Sequence, residues 1–222
     1  MSAKLLLIDG PDGAGKTTAC TFIRSAMKEI NQPFEVVNIL SGHPTSLALR
    51  KVLTDPQSEF DPKAELLAYA AAVNNTMRLR VLPLLLSGVN VLIDRGPFST
   101  YAYQVQGIES DLFNLWAIAN EGFRANATFL LTIDPKQGLE RCLNRDGVLD
   151  RMESKPLHFH NKVYEAYGAI AKLIQTPPRE KNSVFIKMAG EVTCYSNNGP
   201  LEQLEAACHC FVYSAFTEGV LT

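Results

Sequence analysis

Apolar and polar positions fall in blocks along this chain. The first block, Leu5-Leu6-Leu7-Ile8, is an unbroken apolar run, the pattern of a strand buried on both faces. Lys16 to about Ile30 reads as a helix, and Pro33 separates it from a second strand, Glu35 to Leu40. Ser41-Gly42-His43-Pro44-Thr45 reads as a loop, because glycine and the residue before a proline both resist helix. A short helix over Ser46 to Leu53 and a loop from Asp55-Pro56 to Asp61-Pro62 precede a long helix, Lys63 to about Ser87. The apolar stripe of that helix falls at Leu66, Ala70, Val73 and Met77, the three-and-four spacing of one helical face. Pro83 predicts a bend or break in it, and Gly88 its end.

Val89 to Ile93 is the third predicted strand, and it delivers Asp94-Arg95 at its carboxyl end. Gly107 and Glu109 precede a helix to about Arg124, and Thr128 to Ile133 reads as a fourth strand stopped by Asp134-Pro135. A helix carrying Arg141, a polar stretch from Asn144 to Arg151 and another helix to about Ile174 follow. Pro177-Pro178 opens a surface loop before a predicted last strand, Val184 to Met188, and Glu191 to Asn198 reads as irregular. The final helix has an apolar seam at Leu201, Leu204, Cys208, Phe211 and Ala215. Strands alternating with helices, without internal repeats, predict an α/β fold: a three-layer parallel β-sheet with helices on both faces. A chain of 222 residues, 46% hydrophobic, fits one core and hence a single domain, 1–222.

Charge and cysteine usage narrow the class. A net charge of −2 leaves no basic stripe for nucleic acid, so anion binding rests on locally placed Arg, Lys and amides. The five cysteines are odd in number and form no C-x-x-C pair, which fits reduced thiols in a cytoplasmic protein. Cys208-His209-Cys210 occupies consecutive positions of a helix, which splay over different faces and do not make a metal site. The opening apolar run is too short for a signal peptide, and no stretch reaches membrane-spanning length, so the expectation is a soluble protein without membrane contact.

The chemistry gathers at Gly10-Pro11-Asp12-Gly13-Ala14-Gly15-Lys16-Thr17-Thr18, a strand–G-x-x-x-x-G-K-[ST]–helix arrangement. Glycines let the backbone wrap a polyphosphate closely, and the inward amides and helix N-terminus attract the anion. Gly10, Gly13, Ala14, Gly15, Lys16, Thr17 and Thr18 are thus the candidate ATP-binding residues, with Lys16 reaching the outer phosphates and the Thr17 hydroxyl reaching Mg²⁺. Asp94 stands where a second carboxylate near the metal belongs, and Arg95 beside it can grip a second phosphate group. The arginines at 141, 145 and 151 lie on a segment able to close over a transferring phosphoryl and neutralise its charge. Asp12 occupies a variable position of the P-loop, where a tolerated turn residue is the plain alternative.

In order and spacing, Gly10 to Thr18, the Ala64-Glu65-Leu66-Leu67-Ala68-Tyr69 helix, Asp94-Arg95 through Ser99 and Ala102-Tyr103-Gln104, and Leu149-Asp150-Arg151-Met152-Glu153 resemble the thymidylate kinase family. The resemblance implies a P-loop nucleoside monophosphate kinase-like fold with a short mobile lid at about 144–153. It implies phosphoryl transfer from ATP, with Mg²⁺, to a deoxynucleoside monophosphate, foremost dTMP. Gly13 replaces the P-loop arginine of one subgroup, so the resemblance points to the bacterial-type arrangement, with Arg151, Arg145 and Arg141 in the lid. By the same resemblance Asp12 binds the 3′-hydroxyl, Tyr69 stacks on the base and Arg95 holds the acceptor phosphate. Tyr103 packs against the sugar, while Ser99 and Gln104 line the base pocket. A monophosphate dianion is already a nucleophile, so no general base is required and positioning carries the rate.

Two family arginines are missing. The loop after the second strand, Ser41 to Thr45, has none, and the positions following the stacking aromatic are Val73 and Asn74. Each lost arginine–phosphate contact weakens acceptor binding by about 1.5–3 kcal/mol unless replaced, for which Arg50, Lys51, Arg78 and Arg80 lie within a turn. Alternatively, Asn74 and Asn75 signal a different or broader base specificity. A deoxynucleoside kinase is disfavoured, since Ser41 to Thr45 offers no carboxylate base. The family also implies a homodimer formed through helices near the long middle segment.

Overall fold

The computed structural model describes residues 2–105, 110–146, 149–175 and 184–217. Within them the strands β1 (Leu5–Asp9), β2 (Phe34–Asn38), β3 (Asn90–Asp94), β4 (Ala127–Thr132) and β5 (Glu191–Ser196) make one parallel sheet in the order β2-β3-β1-β4-β5. β1 is central because both of its faces are covered. Leu5 and Leu7 point into one core with Val91, Ile93 and Leu130, while Leu6 and Ile8 point into the other with Leu92, Phe129 and Leu131. The period of two along a strand sends every apolar residue of the run into a core, which is why no polar residue interrupts it.

Helices α1 (Lys16–Glu29) and α10 (Leu201–Thr217) cover the second of these faces, through Ile23 and Met27 and through Leu204, Cys208 and Phe211. The other face is covered by α3 (Pro62–Thr76), α6 (Ser110–Ala119) and α8 (Leu157–Gln175), through Leu66, Trp116 and Tyr167. The predicted α/β class and the layering on both faces hold. The short helix predicted after the second strand is α2 (Pro44–Thr54), begun two residues early because Pro44 fits the first helical turn and His43 caps it. Gly107, Glu109, Pro177 and Pro178 lie outside the described residues.

The interruption that Pro83 predicts in the long helix from Lys63 to Ser87 is present: α3 passes through a π-turn at Met77–Val81 into the short α4 (Leu82–Leu86). Pro83 has no N–H to donate and its ring crowds the preceding turn, and the chain widens just ahead of it. One expectation needs correction, that of the last strand. Val184–Ala189 is helical (α9), after the small α5 (Pro97–Thr100) and the helix α7 (Pro135–Asp146) met below, and it buries Phe185, Met188 and Ala189 at helical spacing. The strand is instead Glu191–Ser196, which seemed irregular because it lies at the sheet edge, half exposed, and carries no apolar run.

Among the described residues no helix is long and apolar enough to cross a membrane. The sheet makes a direct stability prediction. Leu7 is fully buried beneath Gly96, whereas Leu86 is 80% exposed. In urea unfolding, Leu7→Ala is expected to cost about 2–5 kcal/mol and Leu86→Ala under about 0.5 kcal/mol.

Candidate active site

The P-loop leaves the carboxyl end of β1 through Asp9, whose side chain is fully buried. Asp9 Oδ1 accepts from the Gly10 amide (2.8 Å), the Ser99 hydroxyl (2.5 Å) and the Tyr167 hydroxyl (2.8 Å), and Oδ2 accepts from the Ser99 amide (3.1 Å). One carboxylate therefore joins the loop to the start of α5 and to α8. Gly15 takes a left-handed conformation (φ 88°) as α1 begins, a turn that a side chain would strain. Lys16 is buried, and its Nζ donates to the carbonyls of Gly10 (2.8 Å) and Pro11 (2.6 Å). Burial, and then the nearby Arg95 charge, lowers the Lys16 ammonium to about 8 against the opposing pull of Asp12, Asp94 and Asp9.

A cleft of about 560 Å³ opens at this edge of the sheet, where α/β folds place ligands. Gly13, Gly15, Lys16, Thr17 and Thr18 line it on one side, and Tyr69, Arg95, Ser99, Tyr103 and Gln104 on the other. Asp12 joins the two. Its carboxylate forms an ion pair with the Arg95 guanidinium and accepts from the Tyr103 hydroxyl (2.7 Å), which in turn accepts from the Asp12 amide (3.0 Å). Burial alone pushes the Asp12 carboxyl up, but Arg95, Lys16 and the Tyr103 hydroxyl outweigh it and hold it well below the usual carboxylate range. Arg95 itself has a positive φ of 68°, a strained conformation of the sort concentrated at functional sites. Tyr103 and Gln104 sit in a π-helical turn, Tyr101–Val105, and reach different partners: Tyr103 bonds to Asp12, while Gln104 Nε2 donates to Glu65 Oε1 (3.1 Å).

Other predicted site residues are placed as follows. Asp94 lines the cleft; its Oδ2 accepts from Asn38 (3.0 Å), while its buried Oδ1 has no partner among the described residues. Ser99 lines the cleft but spends its hydroxyl on Asp9. Tyr69 is buried at the cleft wall, its hydroxyl pushed up to about 12 by burial and Glu65. Ala14 is wholly buried, and its carbonyl accepts from Asn197 Nδ2 (3.0 Å). Asn74 is not brought to the cleft: it is exposed and donates to the Ala119 carbonyl (2.5 Å).

Of the arginine segment, Arg141 and Arg145 line the cleft, Arg141 near the Gly13 carbonyl (3.5 Å) and Arg145 paired with Glu153 (3.0 Å). Arg151 does not line it. Its backbone N–H donates to Thr54 O (3.1 Å) and Nε to Leu53 O (2.7 Å), and its guanidinium lies over the Phe60 ring (5.1 Å). Its Nη2 stands 2.8 Å from Glu65 Oε2, an ion pair without hydrogen-bond alignment. The segment is thereby docked on α2 and α3, while Gly147 and Val148 within it lie outside the described residues. Gly13 (φ 74°) shows why no arginine stands there: a Cβ would lie 2.1 Å from the Gly138 carbonyl of α7.

The sequence profile of thymidylate kinase matches residues 8–177. The chain belongs to the thymidylate kinase family. Among its relatives, the thymidylate kinase of Hahella chejuensis is 34% identical over 178 residues, 78% of this chain and 84% of its own. That of Gloeobacter violaceus is 38% identical over 172 residues (75% and 80%), and that of Enterococcus faecalis 31% over 198 (86% and 92%). Against the thymidylate kinase pattern, the two absent arginines have different outcomes. Arg50 lines the cleft, whereas Arg80 pairs with Glu35 away from it. Val73 is buried in the core and fills the second position with hydrocarbon. His43 is the N-cap of α2, its Nδ1 accepting from Thr45 N (3.3 Å) beside Asn75 Nδ2 (3.0 Å).

Sequence reading passed over Asp9, Tyr164, Tyr167 and Asn197. Asp9 was detectable as a carboxylate directly at a strand end. Tyr164, which donates to the Asp12 carbonyl (3.0 Å), and Tyr167 share one face of α8 at i, i+3, a spacing equally consistent with plain core. Asp12→Asn removes the charge facing Arg95 and is expected to lose about 1–3 kcal/mol at pH 7 in urea unfolding. Because the folded Asp12 pKa is depressed, its contribution is present above the unfolded carboxylate value. The difference from the unsubstituted protein should therefore shrink as pH falls below about 4.

Proposed function

We propose that this chain transfers the γ-phosphoryl group of ATP to dTMP, giving dTDP and ADP. The observation that carries the reading is a single cleft with the P-loop lysine, Lys16, on one side and Arg95 and the Tyr69 ring on the other. ATP lies along Gly10 to Thr18, with Arg141 over it. dTMP lies opposite, its base on Tyr69 and against Gln104, its 3′-hydroxyl at Asp12, its sugar beside Tyr103 and its phosphate at Arg95. Arg50 supplies the second phosphate contact that the loop after β2 lacks.

The residues also fit Mg²⁺. The unpartnered buried Asp94 Oδ1 and the exposed Thr17 hydroxyl at the start of α1 are oxygen donors beside the phosphate loop, the ligands a hard cation takes. When bound, the metal shields the negative charge of the β- and γ-phosphate oxygens. The protein's own share is positional. Lys16 and Arg95 hold two mutually repelling anions in line, and Arg141 and Arg145 face the space where charge spreads in the transition state. Arg151 reaches that space by leaving Glu65; in the docked arrangement it pins the lid to α2. The reading extends to a cytoplasmic single-domain enzyme that pairs as a homodimer through the exposed Leu67, Leu79 and Leu82 of α3, the π-turn and the start of α4.

Initial rates of ADP formation with dTMP, dUMP, dGMP, dAMP, dCMP and UMP test the proposal, with dTMP expected to be used best. No turnover with any of them would overturn the enzyme reading. A pH profile provides a second test. Lys16 must be protonated to hold ATP and loses its proton as pH rises through about 8. kcat/KM for ATP, which reports the free enzyme, should fall above that pH, with kcat falling at a higher pH once phosphate stabilises the ammonium.

A further inference from the structure

Glu65 belongs to no role assigned so far, although it sits half-buried one helical turn before Tyr69 on α3. Its two oxygens have different partners: Oε1 accepts from Gln104 Nε2 at 3.1 Å, and Oε2 faces the Arg151 guanidinium at 2.8 Å. A carboxylate paired with a guanidinium accepts hydrogen bonds and has none to give. The Gln104 carboxamide therefore has one permitted orientation, with its NH₂ toward Glu65. Its oxygen is left over, and among the described residues nothing donates to that atom. Gln104 is 5% exposed and lines the cleft beside Tyr69.

We infer that Glu65 is a positioning residue for base selection, holding the Gln104 carboxamide so that its oxygen meets the ring N–H of an imide base. The inference rests on the acceptor reading above and deepens it. Thymine and uracil carry that N–H at N3 and donate to the waiting oxygen. Cytosine carries an unprotonated N3 there, so two lone pairs would meet in a water-poor site. A pocket built to accept a hydrogen bond rejects the analogue that cannot donate it more strongly than a matching apolar pocket would. Val73 is packed in the core and gives the pocket no polar group of its own at the next turn.

The test compares kcat/KM for dTMP and dCMP in the unsubstituted protein, Glu65→Gln and Gln104→Met. The Glu65→Gln side chain can donate as well as accept, so Gln104 is free to turn. The dTMP-to-dCMP ratio should fall by about tenfold or more, with the dTMP loss mainly in KM. Gln104→Met keeps the volume but has no oxygen, and should lower the ratio similarly. The exchanged pair, Glu65→Gln with Gln104→Glu, again leaves only acceptors toward the cleft and should restore the preference. A merely structural role would depress both substrates equally. An unchanged ratio in Glu65→Gln, or in Gln104→Met with no restoration by the exchanged pair should Glu65→Gln not fold, overturns the inference. If the unsubstituted protein does not use dTMP, the function reading falls with it; dTMP turnover with an unchanged ratio sinks the inference alone.

Discussion

The buried carboxylate of Asp9 is the contact on which the geometry of the cleft depends. An anion removed from water is costly unless its lone pairs are met, and here four donors meet them, drawn from the P-loop, from the residues after β3 and from α8. Those are the elements that must not drift apart if two anions are to be held in line. The constraint works in both directions. The donors make the buried charge tolerable, and the charge fixes where Gly10 turns and where Ser99 of α5 is held. The pairing of β1 with β3 sets the two strand ends side by side, and Asp9 adds the tie between the loops that leave them, which carry Lys16 and Arg95.

Asp12 applies the same logic one step outward. It stands between Lys16 and Arg95, two cations that raise each other's electrostatic cost, and lies in ion-pair contact with Arg95. The cluster is thus nearly balanced within itself, since carboxylates such as Asp12 and Asp94 line the same cleft as Lys16 and Arg95, in keeping with a net charge of −2 for the whole chain. The left-handed backbone at Arg95 belongs to this balance: the sheet hydrogen bond from its amide to Ile8 (3.0 Å) ends the ladder, and the twist turns the guanidinium back toward the loop. Strain of this kind persists only where surrounding contacts over-determine it, and the Asp9–Ser99 linkage one turn away does so.

What the sequence made legible follows from how local each signal is. The P-loop and Asp94-Arg95 are read from a few consecutive residues behind an apolar run, and both line the cleft. Buried strands β1, β3 and β4 are legible for the same reason, being apolar on both faces. Edge strand β5 was missed because its residues alternate without an apolar run, and α9 was misread because six apolar-rich residues do not separate a short helix from a strand. Long-range partnerships left no local trace: Tyr167 with Asp9, and Asn197 with the Ala14 carbonyl, join positions more than 150 residues apart. Arg151 is the instructive intermediate. Its motif is local and plain, yet whether the guanidinium faces the cleft or Glu65 is decided by α2 and α3.

That placement links the two ends of the cleft. Glu65 takes the amide of Gln104 on one oxygen and the guanidinium of Arg151 on the other, so the base pocket and the lid share one carboxylate. While Arg151 is docked, its positive charge stabilises Glu65 as an acceptor and the Gln104 amide is held in its single orientation. On the proposed function, in which Arg151 leaves for the phosphates, Glu65 would keep one strong partner, the amide, and the carboxamide orientation would become its main compensation for burial. A base donating to the Gln104 oxygen would polarise the same amide and strengthen its bond to Glu65, as hydrogen bonds in a chain do, so the proposed base contact and the proposed lid movement would act on the same carboxylate.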